Sequence, residues 1–137
     1  MKKCVYLFVV ITIFLGLLPA PVEAAEEDVV MFVRDMFLVS IKPYQGEIKY
    51  TTAVTIMDTS GQLVKGARVY LDVTITPDVG DPVTYHLTAA TNLAGNARFS
   101  WTGPSGLVVL CVTNVAKRGI SYDPALNYVT CISFTGH

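Results

Sequence analysis

Short runs in which apolar and polar residues alternate recur along the chain and predict β-strands. The clearest run is ARVYLDVTIT, in which Val69, Leu71, Val73 and Ile75 alternate with charged or polar residues. A period of two predicts a strand with one buried and one wet face. The same alternation occurs in IKYTTAVTIMD, VTYHLTAAT and ARFSW, whereas LVVLCVTNV is almost wholly apolar, as in a central strand. With VVMFVRDMFLVSIK at one end and YVTCISF at the other, the pattern predicts seven strands.

Glycine-containing segments separate these strands. They are KPYQGE, DTSGQLVKG, PDVGDP, NLAGN and GPSG. Glycine adopts positive φ without a steric penalty, and Asp, Asn and Pro favour turns, so each segment predicts a connection between strands. No window combines a helical period with capping residues. The sequence therefore predicts an all-β chain folded as a seven-stranded antiparallel β-sandwich.

The first residues have the composition of a secretory signal peptide. Lys2 and Lys3 precede an apolar run from Cys4 to Leu18, and PAPVEAAEED follows. We place the cleavage after Ala24, so that residues 1–24 are the signal peptide and residues 25–137 the domain. An uncleaved anchor is the alternative, but the apolar run of about 15 residues is short of the roughly 20 that span a bilayer. Cys4 would leave with the signal peptide.

Charge narrows the classes of partner. Removal of residues 1–24 would take away Lys2, Lys3 and Glu23, which leaves eight basic and ten acidic residues and a net charge of about −2. Nucleic-acid binding calls for a basic stripe, so a nucleic-acid partner is not expected. No second apolar segment follows, so no contact with a membrane is expected after cleavage. We expect a secreted, extracellular or periplasmic protein.

Two cysteines remain in the domain, Cys111 and Cys131. In an exported chain such a pair predicts one disulfide. Two free thiols are the alternative. A metal site is a further alternative, but two cysteines do not fill a tetrahedral shell, and neither histidine has metal-motif spacing from them.

Turn and core residues carry a resemblance to a known family. The segment DTSGQLVKGARVYLDVT, followed by TAATNLAGNARFSW, resembles the bacterial immunoglobulin-like modules of invasin-type adhesins. The matching positions are Asp58, Gly61, Val64, Gly66, Ala67 and Val69, then Thr91, Gly95, Ala97 and Phe99. The segment VTNVAKRGISYDPALN is similar to the end of immunoglobulin-like or fibronectin-III-like modules appended to secreted peptidases. The second strand has no cysteine, so the antibody-type disulfide between sheets is absent.

The resemblance implies an immunoglobulin-like sandwich with an adhesin-like or accessory role. We therefore expect a secreted, non-catalytic binding module whose partner is a protein or a surface polysaccharide. The alternative is a structural subunit of an extracellular assembly, in which EDVVMFVRDMFLVSI pairs with a neighbouring chain. Self-association remains open.

The sequence contains no strong motif for catalysis or metal binding. IMDTSG resembles an aspartic-protease motif, but Ser60 stands where glycine is required, so Asp58 is interpreted as a turn-opening residue. His86 should point to solvent, and neither it nor His137 neighbours a nucleophile motif. Four aspartates lack EF-hand spacing, so a solvated turn is the favoured interpretation of each: Asp72, Asp78, Asp81 and Asp123. We expect no catalytic residues, no metal and no cofactor.

The resemblance also implies that the third, sixth and seventh strands share a sheet. Its core residues are expected to be Val69, Leu71, Val73, Ile75, Val108, Leu110, Val112, Ile132 and Phe134. Its outer face, a possible partner-binding face, would then hold the disulfide with Tyr70, Thr74, Val109, Thr113, Val115 and Val129. That face is more apolar than the expected wet side of the second strand, which carries Lys49, Thr51 and Thr55. Exposed apolar patches mark interaction surfaces, but single β-branched residues on strands need no such explanation.

The segment from Asn114 to Cys131 connects the last two strands. If Cys111 lies opposite Cys131, Val109 lies opposite Ser133 and Val115 opposite Asn127. The connection is long for a hairpin, so we expect it to be held by its own contacts, with Asn127 capping backbone groups where the last strand begins. Tyr122 and Asp123 are candidate loop contacts to a partner. We favour a structural role for this segment, and a binding role stays open.

Overall fold

The computed structural model describes residues 28–137, which fold almost entirely into β-strands. The strands are β1 (Val30–Tyr44), β2 (Glu47–Asp58), β3 (Arg68–Pro77), β4 (Val83–Ala90), β5 (Asn96–Gly103), β6 (Gly106–Ala116), β7 (Ser121–Tyr122) and β8 (Cys131–Gly136). One turn of 3-10 helix, Pro124–Leu126, lies between β7 and β8. None of the helical residues described belongs to a helix long and apolar enough to cross a membrane. The predicted signal peptide, residues 1–24, lies outside the described residues.

Two four-stranded sheets pack against each other as a sandwich. The first sheet has the order β5-β2-β1-β7, and the second has the order β4-β3-β6-β8. Neighbouring strands are antiparallel except β1 and β7, which run parallel over two residue pairs. The all-β sandwich is thus confirmed, and so is the placement of the third, sixth and last predicted strands in one sheet.

The prediction of seven strands is wrong by one, because the connection after β6 contains β7. There Val30 lies opposite Ser121 and Met31 opposite Tyr122, so the connection crosses to the first sheet. The last strand begins at Cys131 rather than at Tyr128. The predicted pairs Cys111–Cys131 and Val109–Ser133 are present.

The predicted pair Val115–Asn127 is absent, since Val115 lies opposite Val69 of β3 and the β6–β8 ladder ends at Cys131. A bulge explains why Val115 also leaves the expected outer face. Tyr70 pairs with Asn114 and Leu71 with Val112, so Thr113 is the extra residue of β6. An extra residue reverses the inward and outward alternation beyond it. Val112 and Val115 are therefore both buried.

Aliphatic side chains from both sheets form one core. The nine residues predicted for the second sheet all belong to it or pack against it: Val69, Leu71, Val73, Ile75, Val108, Leu110, Val112, Ile132 and Phe134. At one end of the core Tyr50 stacks on Trp101, with ring centroids 5.4 Å apart, and donates a hydrogen bond to Pro104 O. Burial, with a smaller contribution from Tyr85, raises the pKa of Tyr50 above its ordinary value of 10.0.

Two threonines of β2 that the pattern places in water are covered. Thr51 and Thr55 are buried because β2 lies between β1 and β5. The Thr51 hydroxyl lies 3.2 Å from Ser100 Oγ, and the Thr55 hydroxyl donates to Asn96 Oδ1 at 2.6 Å. Neighbouring side chains on the outer face of a central strand cover each other and satisfy their hydroxyls.

The turn motif joins the two sheets at one end of the sandwich. Gly66 N donates to Thr91 O, and the buried Thr91 hydroxyl accepts from Ala67 N at 2.9 Å. Gly95 has φ +75°, and a Cβ there would lie 2.9 Å from Ile56 O. A side chain at this position would therefore meet both backbone strain and a steric clash.

Candidate functional site

The outer face of the second sheet holds three of the expected partner-binding residues. Tyr70 and Thr74 alternate with the core residues of β3, so their half-buried side chains point away from the core. Val109 lies opposite Thr74 on β6, and the Thr74 hydroxyl lies 3.2 Å from the Thr84 hydroxyl of β4. Side chains from three adjacent strands therefore form one surface around Tyr70.

Two other expected residues lie elsewhere or are used internally. Thr113, the bulge residue, is exposed, and its hydroxyl donates to Tyr70 O at 3.3 Å. Val129 precedes β8 and packs partly against the core, so its expected place on the outer face is wrong. The surface around Tyr70 is consequently less apolar than the sequence predicts.

On this face a disulfide joins Cys111 of β6 to Cys131 of the edge strand β8. Val112 N donates to Thr130 O, which marks Cys111 and Cys131 as a non-hydrogen-bonded pair, the closely spaced kind in an antiparallel ladder. Their Cα atoms are 4.1 Å apart. The predicted disulfide is confirmed, and it fixes the register of β8 on β6.

His86 and Asp72 lie beside the disulfide on the same face. Asp72 is opposite Cys111 in the β3–β6 ladder and opposite His86 in the β3–β4 ladder. His86 Nδ1 is 2.7 Å from Asp72 Oδ1, and 77% of the His86 side-chain surface is exposed, as predicted from its alternation. Exposed pairs of this kind contribute little to stability, so the pair adds polarity to the face.

The two expected loop contacts make hydrogen bonds within the chain. The Tyr122 hydroxyl accepts from Asn127 Nδ2 at 2.8 Å. Asp123 caps the 3-10 helix, because its Oδ1 accepts from Ala125 N at 3.0 Å. Asn127 Oδ1 in turn accepts from Val33 N at 2.7 Å. Asn127 does cap backbone, as predicted, but the capped strand is β1 rather than β8.

A basic cleft adjoins Tyr70 at the end of the second sheet. It is a shallow, open depression of about 500 Å³, lined by Gly66, Arg68, Tyr70, Ala116, Lys117, Arg118 and Ile120. Arg68 lies opposite Ala116 in the β3–β6 ladder, so the start of β3 and the residues after β6 meet there. Sequence reasoning missed this cleft, because Arg68 and Arg118 are fifty positions apart and only the strand register brings them together.

An apolar groove lies on the first sheet, on the other side of the same connection. It encloses about 300 Å³ between Phe32, Met57, Leu126 and Tyr128. The rings of Phe32 and Tyr128 are 5.2 Å apart. Tyr128 nevertheless remains 72% exposed, so the groove is open to solvent.

Asp58 opens the turn after β2, as predicted. Its Oδ1 accepts from Ser60 N, Ser60 Oγ and Gln62 N at 2.9, 2.6 and 3.0 Å. Desolvation raises the pKa of Asp58, but the hydrogen bonds from Ser60 and Gln62 and the charge of Lys117 outweigh it. The pKa of Asp58 therefore lies below its ordinary value of 3.8. The carboxylate serves the turn in its ionised form.

Comparisons with protein-family models, with curated proteins and with solved structures find no match to this chain.

Proposed function

We propose that this chain is a secreted, non-catalytic binding module with an immunoglobulin-like fold. The strand order supports the fold assignment. With β7 set aside, the sheets β5-β2-β1 and β4-β3-β6-β8 have the order of strands E-B-A and C′-C-F-G of such sandwiches. The resemblance of the turn motif to invasin-type modules points the same way.

One observation carries the binding role: the surface around Tyr70 adjoins the basic cleft. Tyr70 belongs to both, since it lies on the outer face of β3 and lines the cleft. Tyrosine provides a rigid contact area that is both apolar and polar, and it is enriched at binding surfaces.

The exported location rests on the disulfide and on the signal-peptide pattern. Disulfides form and persist in oxidising compartments, and Cys111–Cys131 is bonded. Residues 1–24 carry the basic start, the apolar run and the small residues that an export signal needs. A disulfide in a domain of this size suits an extracellular or periplasmic protein.

Two substitutions on the outer face test the binding role. Tyr70→Ser and Val109→Lys each remove contact area without entering the core. Purified wild-type and variant proteins are offered to a cell-surface or extracellular fraction, and captured partners are quantified. We expect both variants to lose the partners that the wild type retains, while Thr102→Lys on the first sheet keeps them. Retention of every partner at wild-type strength by folded variants would exclude this face.

A structural subunit is the second candidate, and the open edge of β1 favours it. Beyond Met31 no described strand pairs with the outer edge of β1, and Phe37 and Val39 are exposed along it. However, the register of β1 is interrupted at Arg34 and at Val39, and such bulges discourage pairing at an edge. Light scattering separates the two roles: a monomer favours the binding module, and polymers favour the assembly.

A further inference from the structure

The basic cleft concentrates charge on a chain that is slightly acidic. Of the ten basic residues in the sequence, three line the cleft: Arg68, Lys117 and Arg118. The chain as a whole has a formal net charge of −1. Since a cleft lined by one sign of charge focuses its electric field, this end of the molecule attracts anions even though the whole chain does not.

The fold fixes the Lys117 side chain and the path of the backbone that carries Arg118. Lys117 Nζ donates to Lys65 O at 2.6 Å, which ties the end of β6 to the turn before β3. Lys117 and Ile120 form an isolated bridge around Gly119, whose φ is +84°, so the chain reverses directly after Arg118. The backbone positions of Lys117 and Arg118 are therefore set before an anion binds, which reduces part of the ordering cost of binding.

Among residues 28–137, no carboxylate lies within ion-pair distance of these cations. Within residues 28–137 the ion pair closer than 4.0 Å is His86–Asp72, outside the cleft. Two acidic groups lie near this end of the molecule: Asp58, whose pKa responds to the charge of Lys117, and Asp28, which lines a neighbouring depression with Gly119. Arg68 and Arg118 consequently keep their guanidinium forks available, and such forks bind carboxylate or sulfate groups through two parallel hydrogen bonds.

We propose that this cleft binds an anionic polysaccharide, with sugar carboxylates or sulfates on Arg68 and Arg118 and a sugar ring against Tyr70. The proposal rests on the proposed function and names its ligand class. A half-buried tyrosine at the wall of the cleft offers an apolar face with a polar tip, which suits an amphipathic sugar ring. A nucleic acid fits less well, because it requires a longer row of cations on a basic domain.

The test measures binding of the purified protein to polygalacturonate, which bears carboxylates, and to dextran sulfate, with neutral dextran as the uncharged probe. We compare the wild type with the double variant Arg68→Gln/Arg118→Gln. Removal of each exposed charged contact should weaken binding several-fold. We therefore expect the double variant to lose about tenfold in affinity at low salt. The dependence of log affinity on log salt should become shallower by about one per cation removed.

A matched control separates the cleft from net charge. Lys42→Gln/Lys49→Gln changes the charge by the same amount on the β1–β2 hairpin, at the opposite end of the sandwich. We expect this control to bind as the wild type does. Thermal unfolding reports whether the double variant folds. If it folds poorly, the single variant Arg118→Gln, in an exposed turn, replaces it and should show part of the loss of affinity.

Several results would overturn the proposal. They are an absence of binding to both anionic polymers, equal losses in the double variant and its control, and equal binding to neutral dextran. Binding confined to single-stranded DNA or to anionic vesicles, tested in parallel, would also overturn it. If these results occur while Tyr70→Ser still loses a captured partner, the proposed function stands and the ligand class is wrong. If Tyr70→Ser loses nothing, the proposed function fails as well.

Discussion

The connection between β6 and β8 has two halves that differ in how they contact the rest of the molecule. The solvent-facing half, residues 117–120, lines the basic cleft, and its side chains are exposed apart from the half-buried Ile120. The anchored half, residues 121–128, is hydrogen bonded to β1: Asp123 N donates to Met31 O, and Tyr128 N donates to Val33 O. One continuous segment thus both completes the first sheet and presents charge to solvent.

This difference shows how a long connection can present charged residues to solvent without weakening the fold. Backbone groups of the anchored half replace the neighbour that β1 would otherwise lack at its start. The solvent-facing half makes few contacts of its own, but it begins at the end of β6 and finishes at β7, so both of its ends are fixed. Short loops with fixed ends are suited to presenting binding residues on a rigid scaffold.

The largest effect should come from removing the disulfide, which encloses both halves. The double variant Cys111→Ala/Cys131→Ala should lose roughly 3 kcal/mol of unfolding free energy, because the bridge closes a loop of about twenty residues in the unfolded chain. The anchored half should survive, since its hydrogen bonds do not involve sulfur. Urea unfolding measures the loss, with reduced wild-type protein as the control. A loss below about 1 kcal/mol would show that the connection is held without the bridge.

Replacing Asn127 should give the next largest loss of unfolding free energy. This substitution affects only the anchored half. Its side chain makes three hydrogen bonds, to Val33 N, to the Tyr122 hydroxyl and to the Thr130 hydroxyl. Asn127→Ala should lower the unfolding free energy by about 2 kcal/mol, because it leaves the amide of the buried Val33 without its acceptor. The control is Asn114→Ala, on an exposed residue of β6. Equal unfolding free energies for the two variants would contradict the division of the connection into unlike halves.

Hydrogen exchange adds a local readout to the same variant. The amides of Asp123 and Tyr128 donate to β1 and should be protected in the wild type. In Asn127→Ala both should exchange faster, whereas the amides of Arg118 and Gly119 should exchange rapidly in either protein. Protection at Arg118 equal to that at Tyr128 would remove the distinction between the halves.

The sequence predicts the strand interiors well because they depend on local alternation. Val69, Leu71 and Val73 take one face wherever β3 is placed, and the disulfide was predicted from a pair of cysteines in a chain whose first residues predict export. Asn127 was expected to cap backbone, but its partner, Val33, is ninety-four positions away, and only the fold brings them together. The parallel pairing of β7 with β1 is non-local for the same reason.

The errors on the candidate face come from a bulge. Alternation counted from Leu110 places Thr113 and Val115 on one side, and the extra residue in β6 reverses Val115 into the core. A bulge adds one residue without changing composition, so the pattern does not show it. The basic cleft was missed because Arg68 and the Lys117–Arg118 pair are distant in sequence and adjacent only through the β3–β6 register.

The smallest expected effect concerns the link between the solvent-facing half and Asp58. The lowered pKa of Asp58 means that its ionised form stabilises the folded state. This stabilisation is fully present above the ordinary pKa of 3.8 and is lost as pH falls through the lowered value in the folded protein. Asp58→Asn should therefore unfold more easily than the wild type at neutral pH, and the difference should shrink in acid.

Lys117→Met decides how much of that acid response comes from the solvent-facing half. Desolvation opposes ionisation of Asp58. Among the effects that favour ionisation, the hydrogen bonds from Ser60 and Gln62 are larger than the effect of the Lys117 charge. Removing the Lys117 charge should consequently leave most of the acid response, measured as unfolding free energy against pH. A response as flat as that of Asp58→Asn would mean that residues 117–120 are coupled to the turn at Asp58 as strongly as the anchored half is to β1.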